Sequence, residues 1–274
     1  MPLGELFMAS ILELIYSQFA NLPKILRIAR YENKAAFAKE RLGILWQYIN
    51  PLVQIFTYSF VFIIGLRARA PIHGIPYLIW MAIGIATWSF MSATFIGTLD
   101  AIQSKVRMIS KMKFDLSNLV TIKIVQALPA FFSMIGVIML MAIYYKIYPS
   151  LYWLQIIYYI FAAVVFLFVA GIFNASITAI FPDYKPAVRA VMRSLFWFSG
   201  AIWNIETLPN VIANVLRLNP FFYVINGMRD SLIGKTWFYH RPFETMSFWV
   251  VVGILLVVST NIYLKNRDRF VDGN

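Results

Sequence analysis

Between Arg41 and Lys265 the chain passes through six long stretches with almost no charge, separated by short basic loops. A helix needs about 20 apolar residues to cross a hydrocarbon core about 30 Å thick. Only helices and closed barrels satisfy their backbone there. The pattern predicts an all-α polytopic membrane protein with six transmembrane helices, over about 42–66, 77–98, 124–145, 151–180, 187–205 and 245–264. Residues 1–41 form a separate amphipathic region, and 42–274 form the membrane domain. Composition agrees, with 61% hydrophobic and only 13% charged residues and a mean hydropathy of +0.71. A soluble fold of this length needs a larger charged surface.

Two function classes fall away early. No cysteine is present, which removes disulfides, thiolate metal sites and cysteine nucleophiles. The two histidines, His73 and His240, fall far apart in loops and make a poor metal or catalytic pair. The net charge of +12 would suggest nucleic acid in a soluble protein. Here the basic residues flank hydrophobic runs, where they set topology and meet lipid headgroups, so no nucleic acid is expected.

The first 41 residues read as two helices. Met8, Ile11, Leu12, Ile15, Phe19 and Leu22 recur at helical spacing while Glu5, Glu13 and Gln18 lie off the stripe, the pattern of a helix lying on a membrane. Pro23 opens a more basic helix from Lys24 to Arg41, with Arg27, Arg30, Lys34 and Arg41 near one face. That face is either solvated or grips anionic headgroups or a partner. With the N-terminus inside, six Lys and Arg precede the first span. Five lie between the second and third, three between the fourth and fifth, and three in the tail. The outer loops hold two, one and four. The bias places both termini in the cytoplasm.

Residues 206–244 are irregular. Two uncharged pieces, 207–216 and 218–228, are broken by Pro209, Arg217 and Pro220. Each is about half a membrane long at 1.5 Å per residue. A re-entrant helical pair dipping in from outside fits them; a seventh span across Arg217 is the rival and weakens the charge bias.

Gly234-Lys235-Thr236 imitates part of a phosphate loop, but position 229 is Arg where that loop needs glycine. No ATPase site is therefore expected in this chain. On the first span Gln47, Asn50, Gln54 and Thr57/Tyr58 fall on one helical face. They are either interhelical hydrogen-bonding groups or the polar wall of a translocation path. Asn50-Pro51 predicts a kink there and Pro129 another in the third span. Arg189 and Arg193 are expected to snorkel at the inner end of the fifth span. Trp197 and Trp203 are interfacial anchors or stacking platforms for sugar rings. In the loop after the second span, Ile102, Val106 and Ile109 share a face beside Lys105, Arg107, Lys111 and Lys113, which suits lipid contact or a knob docking into a cytoplasmic partner. Asp100, Asp115, Asp183, Glu206 and Glu244 lie at span edges or in loops, which argues against a proton-coupled carrier.

The order of these features resembles a known group. A basic amphipathic helix precedes Arg41-Leu42-Gly43-Ile44-Leu45-Trp46 and then Asn50-Pro51-Leu52. A knob around Ser110-Lys111-Met112-Lys113-Phe114 follows the second span, and Leu208-Pro209, Leu218-Asn219-Pro220-Phe221 and Arg229 follow the fifth. Over about residues 20–270 the chain resembles the membrane subunits of type-2 ABC exporters for polysaccharides. Among O-antigen, capsule and teichoic acid permeases it is most similar to the wall teichoic acid translocation permeases. The resemblance implies a homodimer bound to two separate ABC-type ATPase chains, which use the ATP and Mg. It implies export of a polymer linked to undecaprenyl diphosphate across the bacterial plasma membrane. In those terms Lys24–Arg41 is the interface helix, with Arg27, Arg30, Lys34 and Arg41 at the substrate entrance. The segment from Ile102 through Lys105, Val106, Ile109, Lys111 and Lys113 to Phe114 is the coupling helix. Gln47, Asn50, Gln54, Tyr58, Trp197 and Trp203 line the channel. Pro209, Asn219, Pro220 and Arg229 belong to outer gate helices. Ser199-Gly200 departs from the Ser-Pro of many relatives, and Phe181-Pro182-Asp183 from a frequent Arg-Asp pair. A membrane-embedded transferase, or a flippase without an ATPase, is the alternative.

Overall fold

The structure, a computed structural model, describes residues 3–38, 40–61, 71–72, 74–103 and 115–272. Every regular element among them is helical: α1 Leu3–Ala20, α2 Leu22–Ala36, α3 Trp46–Ser59, α4 Tyr77–Thr98, α5 Ser117–Tyr144, α6 Gln155–Ile180, α7 Tyr184–Phe198, α8 Asn210–Arg217, α9 Pro220–Ile233 and α10 Pro242–Asp272. Among the described residues four segments are long and apolar enough to cross a membrane: Tyr77–Thr98, Ser117–Tyr144, Leu151–Ile180 and Pro242–Asn266. The expected second and fourth spans coincide with two of these. The described part of the expected first span is shorter and runs without interruption through Pro51, after a 3-10 turn at Gly43–Leu45.

The boundaries that differ have local causes. α2 stops at Ala36 rather than reaching Arg41, so Arg41 lies in the turn before α3 and not on the basic helix. α5 begins seven residues before the expected Ile124, because Asp115 Oδ1 accepts from the Ser117 N–H at 2.8 Å and starts the helix there. Lys123 does not end it, being paired with Glu32 at 3.3 Å. α7 ends at Phe198 instead of continuing to 205: Gly200 takes φ +70°, a left-handed turn that glycine enters without a Cβ penalty. Gly234 closes α9 in the same conformation, so Gly234-Lys235-Thr236 is a helix terminus.

α4 packs along α5, α10 along α6, and α9 lies against both α4 and α6. α9 is antiparallel to those two helices. Its Phe221 ring meets Phe95 and Phe166 at 5.7 and 5.5 Å, and its Leu232 carbonyl accepts from Trp153 Nε1 at 3.1 Å. At 14 residues α9 is about 21 Å long. α1 hangs from the first turn of α5, where Gln18 Nε2 donates to Ser117 Oγ at 2.8 Å and Thr121 Oγ1 donates to Gln18 Oε1 at 2.7 Å. Its apolar stripe, Leu12, Ile15 and Phe19, points outward. Ser17, Gln18 and the buried Leu14 lie on the side that meets protein.

Candidate functional site

The polar stripe of α3 faces α4 and α5 across a cavity of about 380 Å³. Gln47, Asn50 and Gln54 form one wall, Ser89 and Ser92 of α4 another, and Phe90 and Phe131 close the side. Those two rings stack at 4.4 Å. Ser89 Oγ donates to Gln54 Oε1 at 2.9 Å, and Gln47 Nε2 donates to the Gln126 carbonyl at 2.7 Å. Gln47 Oε1 is enclosed with no hydrogen-bond partner. No charged residue lines this cavity among the described residues. A neighbouring cavity of about 350 Å³ shares Gln54, Trp88, Ser92 and Ile96, and adds Tyr58, Arg193 and Trp197. The serines of α4 are what sequence reading passed over. Ser89 and Ser92 sit at i,i+3 in a helix that otherwise reads as uniformly apolar.

At the Asp100 end of the bundle, Arg27, Arg30 and Lys34 are exposed on α2 and Arg41 is exposed beyond it. Arg30 lines a cavity of about 360 Å³ with Asn33, Gln47, Tyr48 and Pro129, so the basic helix and the polar stripe border one space. The joint between them is Gln126. Its carbonyl accepts from Asn33 Nδ2 at 2.9 Å as well as from Gln47, and its Nε2 donates to Glu32 Oε2 at 2.7 Å. Pro129, inside α5, has no N–H to give the Val125 carbonyl and loosens that turn. The adjacent Gln126 carbonyl is then reached by side chains from two other helices. Asp100 pairs with Lys185 and, at 3.8 Å, with Arg189. Of the expected coupling residues, Ile102 is buried; Lys105, Val106, Ile109, Lys111, Lys113 and Phe114 lie outside the described residues.

The Trp153 end is built around Arg229, which is 2% exposed. Its guanidinium donates to the carbonyls of Trp80 at 3.0 Å, Gly200 at 2.8 Å and Ala201 at 2.6 Å, and lies over the Trp80 ring at 3.3 Å. Gly84 makes the room: a Cβ there would stand 2.1 Å from the Ala201 carbonyl oxygen and 2.2 Å from the guanidinium. The expected gate residue is therefore a clamp joining α9, α4 and the turn after α7. Asn219 caps α9, its Oδ1 accepting from the Phe221 N–H at 3.0 Å with Pro220 in the first turn, and Pro209 immediately precedes α8. Asp230, which sequence reading did not single out, is buried and paired with Arg241 at 3.0 Å. Arg241 reaches Glu244 at 3.5 Å, and Glu244 reaches Arg217 of α8 at 3.9 Å. Trp203 donates to the Trp197 carbonyl at 2.5 Å but lines a small cleft with Trp80, Arg217 and Arg229, while Trp197 lines the cavity beside Tyr58.

Helices long and apolar enough to cross a membrane mark a helical integral membrane protein. The chain belongs to the ABC-2 type transporter family, whose profile matches residues 23–233. It is similar to an O-antigen export system permease protein RfbA of Klebsiella pneumoniae, 24% identical over 247 residues, 89% of this chain and 92% of that protein. It is also similar to an O-antigen export system permease protein RfbA of Myxococcus xanthus, 21% identical over 255 residues, 90% of this chain and 94% of that protein.

Proposed function

We propose that this chain is the membrane-spanning permease subunit of an ATP-driven polysaccharide exporter. In this reading it carries a polymer linked to undecaprenyl diphosphate, a wall teichoic acid or a related glycan, from the cytoplasm to the outer face. Membership of the ABC-2 family and the names of the relatives support the class. The observation that carries the route is the cavity walled by Gln47, Asn50, Gln54, Ser89 and Ser92 and closed by Phe90 and Phe131. Amides and hydroxyls exchange hydrogen bonds with sugar hydroxyls, and the absence of charge there avoids a tight trap.

Two copies pair, and the described exposed apolar residues Leu52, Val53 and Phe56 on α3 suit contact with lipid or a second copy. Two separate ATPase chains bind ATP and Mg and press on the coupling segment that begins at Ile102; this chain has no ATPase site of its own. α3 and α7 complete six spans, with both termini in the cytoplasm. The Asp100 end is then the inner one. α8 and α9 form the re-entrant outer pair, a reading favoured by the length of α9, too short at about 21 Å to cross a core about 30 Å thick, and by its antiparallel course between α4 and α6.

The test is purification of the tagged full chain from native membranes. A Walker-motif ATPase co-purifies, and the reconstituted complex moves glycolipid only with ATP. Cargo movement or covalent chemistry by the purified chain alone would overturn the reading. Mass spectrometry of the glycolipid that accumulates on depletion identifies the polymer. Neutralising Arg27, Arg30 and Lys34 together weakens substrate-stimulated ATPase activity; unchanged stimulation rules those residues out of the entrance.

A further inference from the structure

Arg193 is exposed on the surface of α7. Arg189, one turn earlier on α7, marks the inner end by pairing with Asp100 at the end of α4. Arg193 is four residues, about 6 Å, farther along the helix. Its neighbours on α7, Met192 and Phe196, are buried, and the Phe196 ring meets Trp88, at the middle of α4, at 5.6 Å. Among the described residues no carboxylate pairs with Arg193. The residue lines the cavity that also contains Gln54, Tyr58, Ser92 and Trp197. With its oxygen engaged by Ser89, Gln54 keeps its NH2 group as a donor for an occupant. Tyr58 and Ser92 add hydroxyls, and no acidic side chain lines the space.

A cation one turn inside the end of a span is costly unless it is paired, and its partner has to be named. Here every polar group of the lining can donate, and the one charge is a guanidinium, whose fork matches phosphate oxygens in pairs. We infer that Arg193 is the residue that meets the phosphate group of the passing glycan, with Gln54, Tyr58 and Ser92 as supporting donors and the exposed ring of Trp197 against the adjoining sugar. The inference rests on the cavity being the export route, and it adds a subsite for one chemical group on that route. The two joined cavities then divide the cargo between them, neutral sugar units passing the Gln47–Asn50 wall and the phosphate passing Arg193.

The experiment uses the full chain with its native ATPase in the native membrane. A photo-crosslinking p-benzoylphenylalanine replaces Ile96, which lines both cavities. Ultraviolet adducts are digested and their mass and phosphate content read. The expected adduct is a phosphate-bearing glycan, its yield lowered at least about tenfold by Arg193→Gln and by less in Arg193→Lys, which keeps the charge but not the paired fork. Glycan adducts with unchanged yield in Arg193→Gln overturn the assignment of Arg193 and leave the export reading standing. A glycerophospholipid as the sole adduct shows that the cation meets a lipid headgroup and overturns it too. If Arg193→Gln fails to accumulate, the wild-type adduct decides, since a glycan without phosphate contradicts the subsite. No glycan adduct in any variant would overturn the route itself.

Discussion

Two polar junctions, at opposite ends of the bundle, each tie three chain segments together through backbone carbonyls, and they are built to different tolerances. At the Trp153 end a single buried guanidinium engages three carbonyls and an aromatic face, and Gly84 gives up its side chain to admit it. At the Asp100 end Gln126 is shared among the partly exposed side chains of Glu32, Asn33 and Gln47 at a turn that Pro129 loosens. Charge-assisted bonds without water resist rearrangement, because any released partner is left buried and unpaired. Amide bonds beside a helix defect exchange partners cheaply. The first junction is expected to behave as a fixed post and the second as a yielding joint.

The largest effect tests the post. Arg229→Ala strands three buried carbonyls, and charge-assisted bonds are worth about 1.5–3 kcal/mol each. The expected loss is at least about 3 kcal/mol, read as a fall in the thermal unfolding midpoint of the detergent-solubilised protein. Gly84→Leu should match it, since the new side chain meets backbone rather than a flexible neighbour. A Gly84→Leu protein of wild-type stability would mean the clamp is not rigid. Arg241→Ala comes next, at about 2–3 kcal/mol, because it leaves the Asp230 carboxylate buried without this partner.

Breaking the joint should look different. Asn33→Ala removes a contact worth about 0.6 kcal/mol in a membrane protein, so stability scarcely moves. The rate at which a thiol reagent modifies Ser92→Cys changes several-fold instead. The cysteine-free chain makes that readout specific. Equal modification rates in both backgrounds would show that the joint does not yield. Asp100→Asn is expected to be mild as well, at or below about 1 kcal/mol and sensitive to salt, since its partners Lys185 and Arg189 are 30% and 50% exposed. A loss as large as that of Arg229→Ala would erase the contrast between the two ends.

Helix positions were legible wherever apolar length alone decides them, as at Tyr77–Thr98. They failed at ends set by one local contact, such as Asp115 starting α5 or Gly200 stopping α7. The stripe of Gln47, Asn50 and Gln54 was legible because three amides at helical spacing stand out against apolar neighbours. Its facing serines were not, since hydroxyl residues are common in membrane helices and only packing shows which space they face. Asp230 escaped for a related reason: its charge is hidden by Arg241, 11 residues later, a pairing no local pattern announces.

Hydrophobic runs were enough to specify a helical membrane chain, because partition into lipid depends on summed side-chain free energies along short segments. Which polar residues meet was decided by tertiary packing. Arg229 reaches Trp80 across 149 positions and Gln47 reaches Gln126 across 79. Such distances close only when helices pack, and it is burial that turns an ordinary arginine into a clamp and a row of amides into a cavity wall.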